Sequence, residues 1–270
     1  MTGIEAFRYD GKHVLVVGGA TGMGAAAAKT VGALGARVTV LDYAPVDYDV
    51  AKVVQVDVRD RDALDTALAE VAGPVQAVVS AAGVADGTPG LMKINFIAHR
   101  HIIETLVGDG RLGPGGAVCM ISSVAGIGWE ANMSKVLEFL DTPDYESAVA
   151  WVEANEGSDG YVFSKQAINC YAARQGLAFV TKGIRINAIC PGPTDTPLAR
   201  ANDWLMRRTY TEATGTDNLT ADQMGNVMVF LNSDAASGIN GVNILVDAGW
   251  VMSSVTGSWD DPTIKMLLGR

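Results

Sequence analysis

Histidine and cysteine are scarce in this chain, with three of each in 270 residues. Cys119, Cys170 and Cys190 are odd in number and widely spaced, which excludes a disulfide framework and fits reduced thiols packed in a core. His99 and His101 form the one close histidine pair, and no carboxylate or cysteine completes a ligand set beside them. No metal is expected, and His99-Arg100-His101 reads as a solvated helix face. Cations are also short, 20 Lys and Arg against 30 Asp and Glu, so the formal charge is −10. Such a surface repels nucleic acid and anionic membranes, and neither is expected as a partner. No apolar run is long enough to span a bilayer, and the first residues lack the apolar core of a signal peptide. The expected location is the cytoplasm. Low-complexity and charge-rich tracts are missing too, which leaves a globular composition suited to one α/β domain over residues 1–270.

What the chain does have is alternation. Short β-branched runs at His13–Val17, Arg37–Leu41, Lys52–Val56, Val75–Ser80, Ala117–Ile121, Ile184–Ile189 and Val242–Val246 read as buried strands. Helical patterns separate them, at about 22–34, 60–72, 91–107, 161–180 and 221–231. Strand–helix alternation predicts a parallel sheet covered on both faces, a single doubly wound Rossmann domain.

The first strand runs into Gly18-Gly19-Ala20-Thr21-Gly22-Met23-Gly24. Glycines here let the backbone turn tightly and approach a pyrophosphate, and the following helix N-terminus offers N–H donors. Asp42 ends the second strand, where a carboxylate can accept hydrogen bonds from an adenosine ribose and would repel a 2′-phosphate. No Lys or Arg stands in the loop or at Tyr43 to receive that phosphate. NAD is expected in preference to NADP.

Tyr161 and Lys165 lie four residues apart, on one face of a helix. A free phenol has a pKa of about 10. An ammonium one turn away favours the phenolate, which predicts a lowered pKa and a tyrosine able to exchange a proton near neutral pH.

Taken together, these residues resemble the single-domain short-chain dehydrogenases/reductases. The similarity runs from Val14 to about Gly249 and keeps the family's order: the glycine loop, Asp57-Val58, Asn95, Ser122-Ser123, Tyr161/Lys165, Asn187 to Thr196, and Val246-Asp247-Ala248-Gly249. The resemblance implies roles residue by residue. Tyr161 is the general acid in carbonyl reduction and the base in alcohol oxidation. Lys165 tunes it and holds the nicotinamide ribose. Ser123 polarises the substrate oxygen, and Asn95 supports a water linking Lys165 to a proton relay. Gly18, Thr21, Gly22, Met23, Gly24 and Asp42 hold the pyrophosphate and adenosine side. Asp57 and the Val58 backbone touch adenine, Ala81, Ala82 and Gly83 lie along the cofactor, and Pro191, Gly192, Thr194 and Thr196 fix the carboxamide. The short Tyr161–Lys165 spacing differs from the longer one of enoyl reductases in the same superfamily.

Three features depart from the family pattern. Val17 replaces a usual Thr, and Ser80-Ala81-Ala82-Gly83 replaces N-N-A-G, which questions local sheet contacts. Ser123 and Tyr161 are also 38 positions apart, because about 32 residues, roughly 126–157, are inserted between them, as in the branch containing bacterial 3α-hydroxysteroid dehydrogenase/carbonyl reductase. Thr142-Pro143-Asp144 is expected to start a helix with Thr142 as cap. Tyr145, Ala148, Val149 and Val152 form its apolar stripe, and a shorter helix is expected over Ser134–Leu140. In most relatives the tyrosine helix and the Asn-bearing helix pack on a partner subunit. The insert is therefore expected to cover that surface, to overhang the substrate entrance, and to favour a homodimer over a tetramer.

The expected function is NAD-dependent interconversion of a secondary alcohol and a ketone. Trp129, Phe139, Trp151, Trp204, Tyr210 and Trp250 lie in segments expected to wall the pocket, which points to an apolar small molecule: steroid, terpenoid or aromatic. The alternative is a catalytically silent NAD-binding regulator on the same fold. Retention of Asn95, Ser123, Tyr161 and Lys165 together argues against it.

Overall fold

A computed structural model describes residues 3–197, 199 and 208–269. Its main sheet has seven strands: β1 (His13–Val17), β2 (Arg37–Asp42), β3 (Lys52–Gln55), β4 (Ala77–Ser80), β5 (Ala117–Ile121), β6 (Arg185–Pro191) and β9 (Asn243–Val246). They are ordered β3-β2-β1-β4-β5-β6-β9, and each neighbouring pair is parallel. A second small sheet pairs β7 (Thr194–Asp195) with β8 (Leu219–Thr220). The helices are α1 (Gly22–Ala33), α2 (Arg61–Ala69), α3 (Ala98–Gly108), α4 (Met133–Leu140), α5 (Tyr145–Ala154), α6 (Tyr161–Val180), α7 (Arg208–Thr214), α8 (Ala221–Asn232), α9 (Trp250–Val255) and α10 (Pro262–Leu267).

Every residue of β1, β4 and β5 is buried, which is why those strands read as continuous apolar runs rather than alternating ones. Alternation survives as a choice of face. Val14 and Val16 pack with Ala27, Ala28 and Val31 of α1 and Met224 and Met228 of α8. Leu15 and Val17 pack on the other side, in the cluster holding Ile102, Ala167 and Tyr171. The strand order reverses between β1 and β4, and the crevice beyond their carboxyl ends is where this class of sheet binds ligands.

The departures at Val17 and Ser80 are accommodated without an orphaned group. Val17 is 1% exposed and pairs across the ladder with Ser80. Ser80 Oγ meets His99 Nδ1 at 2.6 Å, and His99 Nε2 meets the Ala82 carbonyl at 2.8 Å. A carbonyl can only accept, so Nε2 carries the proton and Nδ1 accepts from Ser80. Burial lowers the His99 pKa to about 4, keeping this bridge neutral. The expectation of a solvated His99-Arg100-His101 face is therefore overturned. His99 is 2% and Arg100 8% exposed, and His101 packs against Asp65 and the Tyr145 ring. Among the described residues no group of His, Cys, Asp or Glu is arranged to hold a metal.

The insert forms two helices, α4 and α5, laid over the Asn95 and Tyr161 elements. Phe139 of α4 contacts the rings of Phe96, Phe163 and Trp151. Arg100 donates to the Thr142 hydroxyl and carbonyl, and Arg174 of α6 pairs with Asp141. The cap of α5 is two residues later than expected: Asp144 accepts from the Ser147 N–H. The Thr142 hydroxyl is instead turned back to the end of α4, donating to the Phe139 carbonyl and accepting from Arg100. Tyr145 and Ala148 are buried, while Val149 and Val152 are half-buried.

The aromatic wall read from the sequence is mostly core. Phe139 and Trp250 are fully buried and Tyr210 is 8% exposed. Trp129 and Trp151 are half-buried against the core, and Trp204 lies outside the described residues. The Trp250 indole donates to Asp261, so this ring fastens α9 to α10 rather than lining a cavity.

Candidate active site

The glycine loop sits at the sheet's switch point because nothing bulkier fits there. Gly18 has φ +81, and a Cβ on it would lie 2.3 Å from the Ala82 nitrogen. A Cβ on Gly24 would lie 2.0 Å from the Gly18 carbonyl oxygen. Both positions demand glycine, so the loops after β1 and β4 lie back to back. Thr21 is the exposed N-cap residue of α1. Gly22 faces Thr196 across the crevice, with 3.7 Å from its Cβ position to Thr196 Cγ2. Asp42, 9% exposed, accepts from the N–H groups of Ala20 and Ala44 at 2.8 and 2.9 Å. Its negative charge is thereby fixed against the loop. Tyr48 closes the same corner, donating to the Gly19 carbonyl. Burial pushes its phenol up to about 12, with Asp42 and then Asp47 adding to the effect.

Met23, Ala81, Gly83, Ser123, Tyr161, Lys165, Pro191, Gly192, Thr194 and Thr196 line a single cavity. Thr194 and Thr196 are tied down locally: Thr194 donates to the Gly192 carbonyl, and Thr196 Oγ1 accepts from the Ala199 N–H. Ala82 lies between the lining residues Ala81 and Gly83, its carbonyl held by His99. Asp57 and Val58 stand apart from the cavity. Asp57 is half-buried and paired with Arg59. Val58 is 7% exposed, and its carbonyl accepts the Tyr145 hydroxyl of the insert at 3.3 Å.

Asn95 sits in a π-helical turn, Lys93–Ile97, that opens the helix continued by α3. Such turns are rare inside helices and frequently mark functional sites. Its Oδ1 accepts from the Val84 N–H at 2.8 Å, and its Nδ2 donates to the Val84 carbonyl at 3.0 Å and to Ser164 Oγ at 3.2 Å. Ser164 in turn donates to the Tyr161 carbonyl at 2.6 Å. Asn95 Oδ1 and Lys165 Nζ flank Gly83, 3.6 and 3.9 Å from its Cβ position. Asp86, whose carboxylate accepts the Tyr161 backbone N–H, was missed in the sequence because no local spacing relates it to the motif residues, and Ser164, inside the motif, gains its part only through the distant Asn95.

The electrostatics of the pair differ from the expectation. Burial pushes the Tyr161 phenol up to about 12, the hydrogen bond with Ser123 opposes this, and Asp86 reinforces it. Burial also lowers Lys165 to about 8. Lys165 Nζ lies 5.3 Å from the Tyr161 ring centroid, but desolvation of the phenolate outweighs what an ammonium at that range contributes. With the protein's own groups alone, Tyr161 is a phenol near neutral pH.

The crevice fits a nicotinamide dinucleotide. Its loop requires glycines that leave backbone N–H groups at a helix start. At the other end, Lys165 is 4% exposed and its one described hydrogen bond goes to the Ile121 carbonyl at 3.0 Å. A buried ammonium has three donors, so two remain for polar groups entering the cavity, such as ribose hydroxyls.

Fold and site define a short-chain oxidoreductase. The short chain dehydrogenase model matches residues 12–134, and a model described as enoyl-(acyl carrier protein) reductase matches residues 146–251. The chain belongs to the short-chain dehydrogenase/reductase family. Cis-4-hydroxycyclohexanecarboxylate dehydrogenase of Sinomonas cyclohexanicum is 31% identical, over 87% of this chain and 95% of that protein. Coniferyl-alcohol dehydrogenase of a Pseudomonas species is 27% identical over 88% and 96%, and 3-alpha-hydroxysteroid dehydrogenase/carbonyl reductase of Comamonas testosteroni is 27% identical over 87% and 95%. The 3-alpha-hydroxysteroid dehydrogenase of Pseudomonas sp. B-0831, solved with NADH, shares the fold with a TM-score of 0.72 at 22% identity, over 92% of this chain and 99% of that one.

Proposed function

We propose that this chain is an NAD-dependent dehydrogenase that interconverts a secondary ring alcohol and its ketone. The observation carrying the reading is the convergence of Ser123, Tyr161 and Lys165 on one cavity, with the lysine buried and short of acceptors. When bound, the nicotinamide ring takes up or returns a hydride at the carbinol carbon. The chain's own work is the proton and the placement. In ketone reduction the Tyr161 hydroxyl protonates the developing alkoxide while Ser123 donates a second hydrogen bond to that oxygen. In oxidation Tyr161, once ionised, takes the alcohol proton. Lys165 is positioned to hold ribose hydroxyls and to lower the phenol's pKa as charge develops.

Asp42 supports NAD over NADP: its carboxylate is fixed on the loop and would meet a 2′-phosphate with like charge, and Asp47 adds to the negative corner. An apolar ring substrate is supported by the apolar part of the cavity lining, Met23, Ala81, Ile121 and Pro193. The hydroxycyclohexanecarboxylate and hydroxysteroid named for two relatives are both ring alcohols, although the first also carries a charge.

The test is a panel of ring alcohols with NAD or NADP, followed by absorbance of the reduced nicotinamide. Turnover with NAD is expected, and Asp42→Ala should narrow the preference over NADP by about ten- to hundredfold, the worth of a hydrogen bond to a charged group. Equal use of both cofactors by the parent enzyme would refute the reading of Asp42.

A further inference from the structure

Helix α6 begins without a capping side chain of its own, because Gly160 fills the cap position. The missing carboxylate arrives from another segment: Asp86 Oδ1 accepts the Tyr161 backbone N–H at 2.6 Å, across 75 residues of sequence. Asp86 is exposed, in the loop after β4, yet its loop is not free to drift. Asn95 clamps both backbone groups of Val84, two residues earlier, and through Ser164 reaches the Tyr161 carbonyl. The first residue of α6 is therefore gripped at its N–H by Asp86 and at its carbonyl through the Asn95 network.

We propose that Asp86 is a positioning residue for Tyr161, fixing its backbone at the helix start and setting the charge environment of its phenol. This rests on the reading of Tyr161 as the proton-transfer group. A carboxylate at a helix N-terminus is favourable to the helix, and the same charge disfavours a phenolate on that first residue. Among the described residues, Lys165 from one turn along α6, Ser123 from the β5 loop, which is neutral, and Asp86 bear on the phenol. Asp159, exposed two residues before the helix, is a further carboxylate in that segment. His99, beyond Lys165, is held neutral by burial. Asp86 thus opposes Lys165. Its effect favours the phenol as donor in ketone reduction and delays its ionisation in alcohol oxidation.

Two variants separate position from charge. Asp86→Asn retains an oxygen acceptor for the Tyr161 N–H and loses the charge, and Asp86→Ala loses both. For Asp86→Asn the alkaline-rising limb of alcohol oxidation should move to lower pH by about half a pH unit at low ionic strength, and by less in about 1 M salt, because the carboxylate is solvent-screened. The plateau rate should stay within about twofold. For Asp86→Ala the same shift should come with a further fall in plateau rate of about tenfold, with cofactor affinity retained, since only the reacting tyrosine is displaced. Matching circular dichroism of both variants shows that they are folded. Limbs that stay where the parent has them overturn the proposal, even if Asp86→Ala is slow, because Asp86 would then be only a helix cap. Tyr161→Phe run alongside tells the two readings apart: if it is inactive while both Asp86 limbs are unmoved, the proposal fails and the role of Tyr161 stands.

Discussion

At the scale of single residues, the site turns on the opposition between Tyr161 and Lys165. The spacing of the pair is legible in the sequence, and so is the chemistry it permits. The sign of the tyrosine's perturbation is not, because spacing carries no information about desolvation. Burial holds the phenol near 12 and the ammonium near 8. Above about pH 8 Lys165 begins to lose the charge that would favour the phenolate. Ketone reduction, which needs the protonated phenol, should therefore be level through neutral pH and fall only on the alkaline side. Alcohol oxidation, which needs the phenolate, should still be climbing at about pH 9. Initial rates in both directions across pH check this, and an oxidation plateau at neutral pH would show that bound cofactor dominates the site's electrostatics. Tyr161→Phe keeps the ring's packing but has no proton to transfer. It should cost about 10²–10⁴-fold in turnover, with cofactor binding retained in a fluorescence titration.

Among elements, strands and helices of the dinucleotide fold are legible because their apolar runs are long and their loops carry glycine. The insert is legible only by half. Its two helices announce themselves by periodicity, and α5 takes up its stripe with Tyr145 and Ala148 inward. That it lies over the Asn95 and Tyr161 elements agrees with what the family resemblance implies, but which residue caps α5 depended on a partner far away in sequence. The Thr142 hydroxyl is turned to Phe139 and Arg100, and Asp144 takes the cap. The apparent aromatic wall failed for the same reason: a Trp or Phe in a variable segment says nothing of which way it faces, and Phe139 faces Phe96 and Phe163. That packing makes α4 part of the core rather than an appendage. Phe139→Ala should destabilise the protein by about 3–5 kcal/mol, as expected for an emptied aromatic site. The thermal midpoint should fall by roughly 6–20 °C. A change below about 1 kcal/mol in a denaturant titration would mean that the insert folds independently of the domain it covers.

For the molecule as a whole, the consequence of the insert is a change in available surface. The similarity to other family members implies that the tyrosine helix and its Asn-bearing neighbour meet a partner subunit. Here α4 and α5 lie over those elements, held by Arg100 on Thr142, by Asp141 on Arg174 and by Asn132 on Gln166. A partner could reach the covered part of α6 only by displacing Phe139 and Val136, both fully buried. The apolar residues that α6 still exposes, Leu177 and Val180 at its far end and Val162 near its start, share one side of the helix but are separated by about 22 Å along its axis at 1.5 Å per residue, so they make no continuous patch. We propose that the protein assembles as a dimer through another surface, since twofold pairing is the commonest closed assembly. Light scattering on the purified protein should give about twice the monomer mass. The helix-bearing surface should also tolerate charge: Leu177→Glu is expected to leave that mass unchanged, because Leu177 is 76% exposed and outside the proposed contact. A tetramer that Leu177→Glu splits into dimers would place an interface on α6 and sink the idea that the insert has closed it.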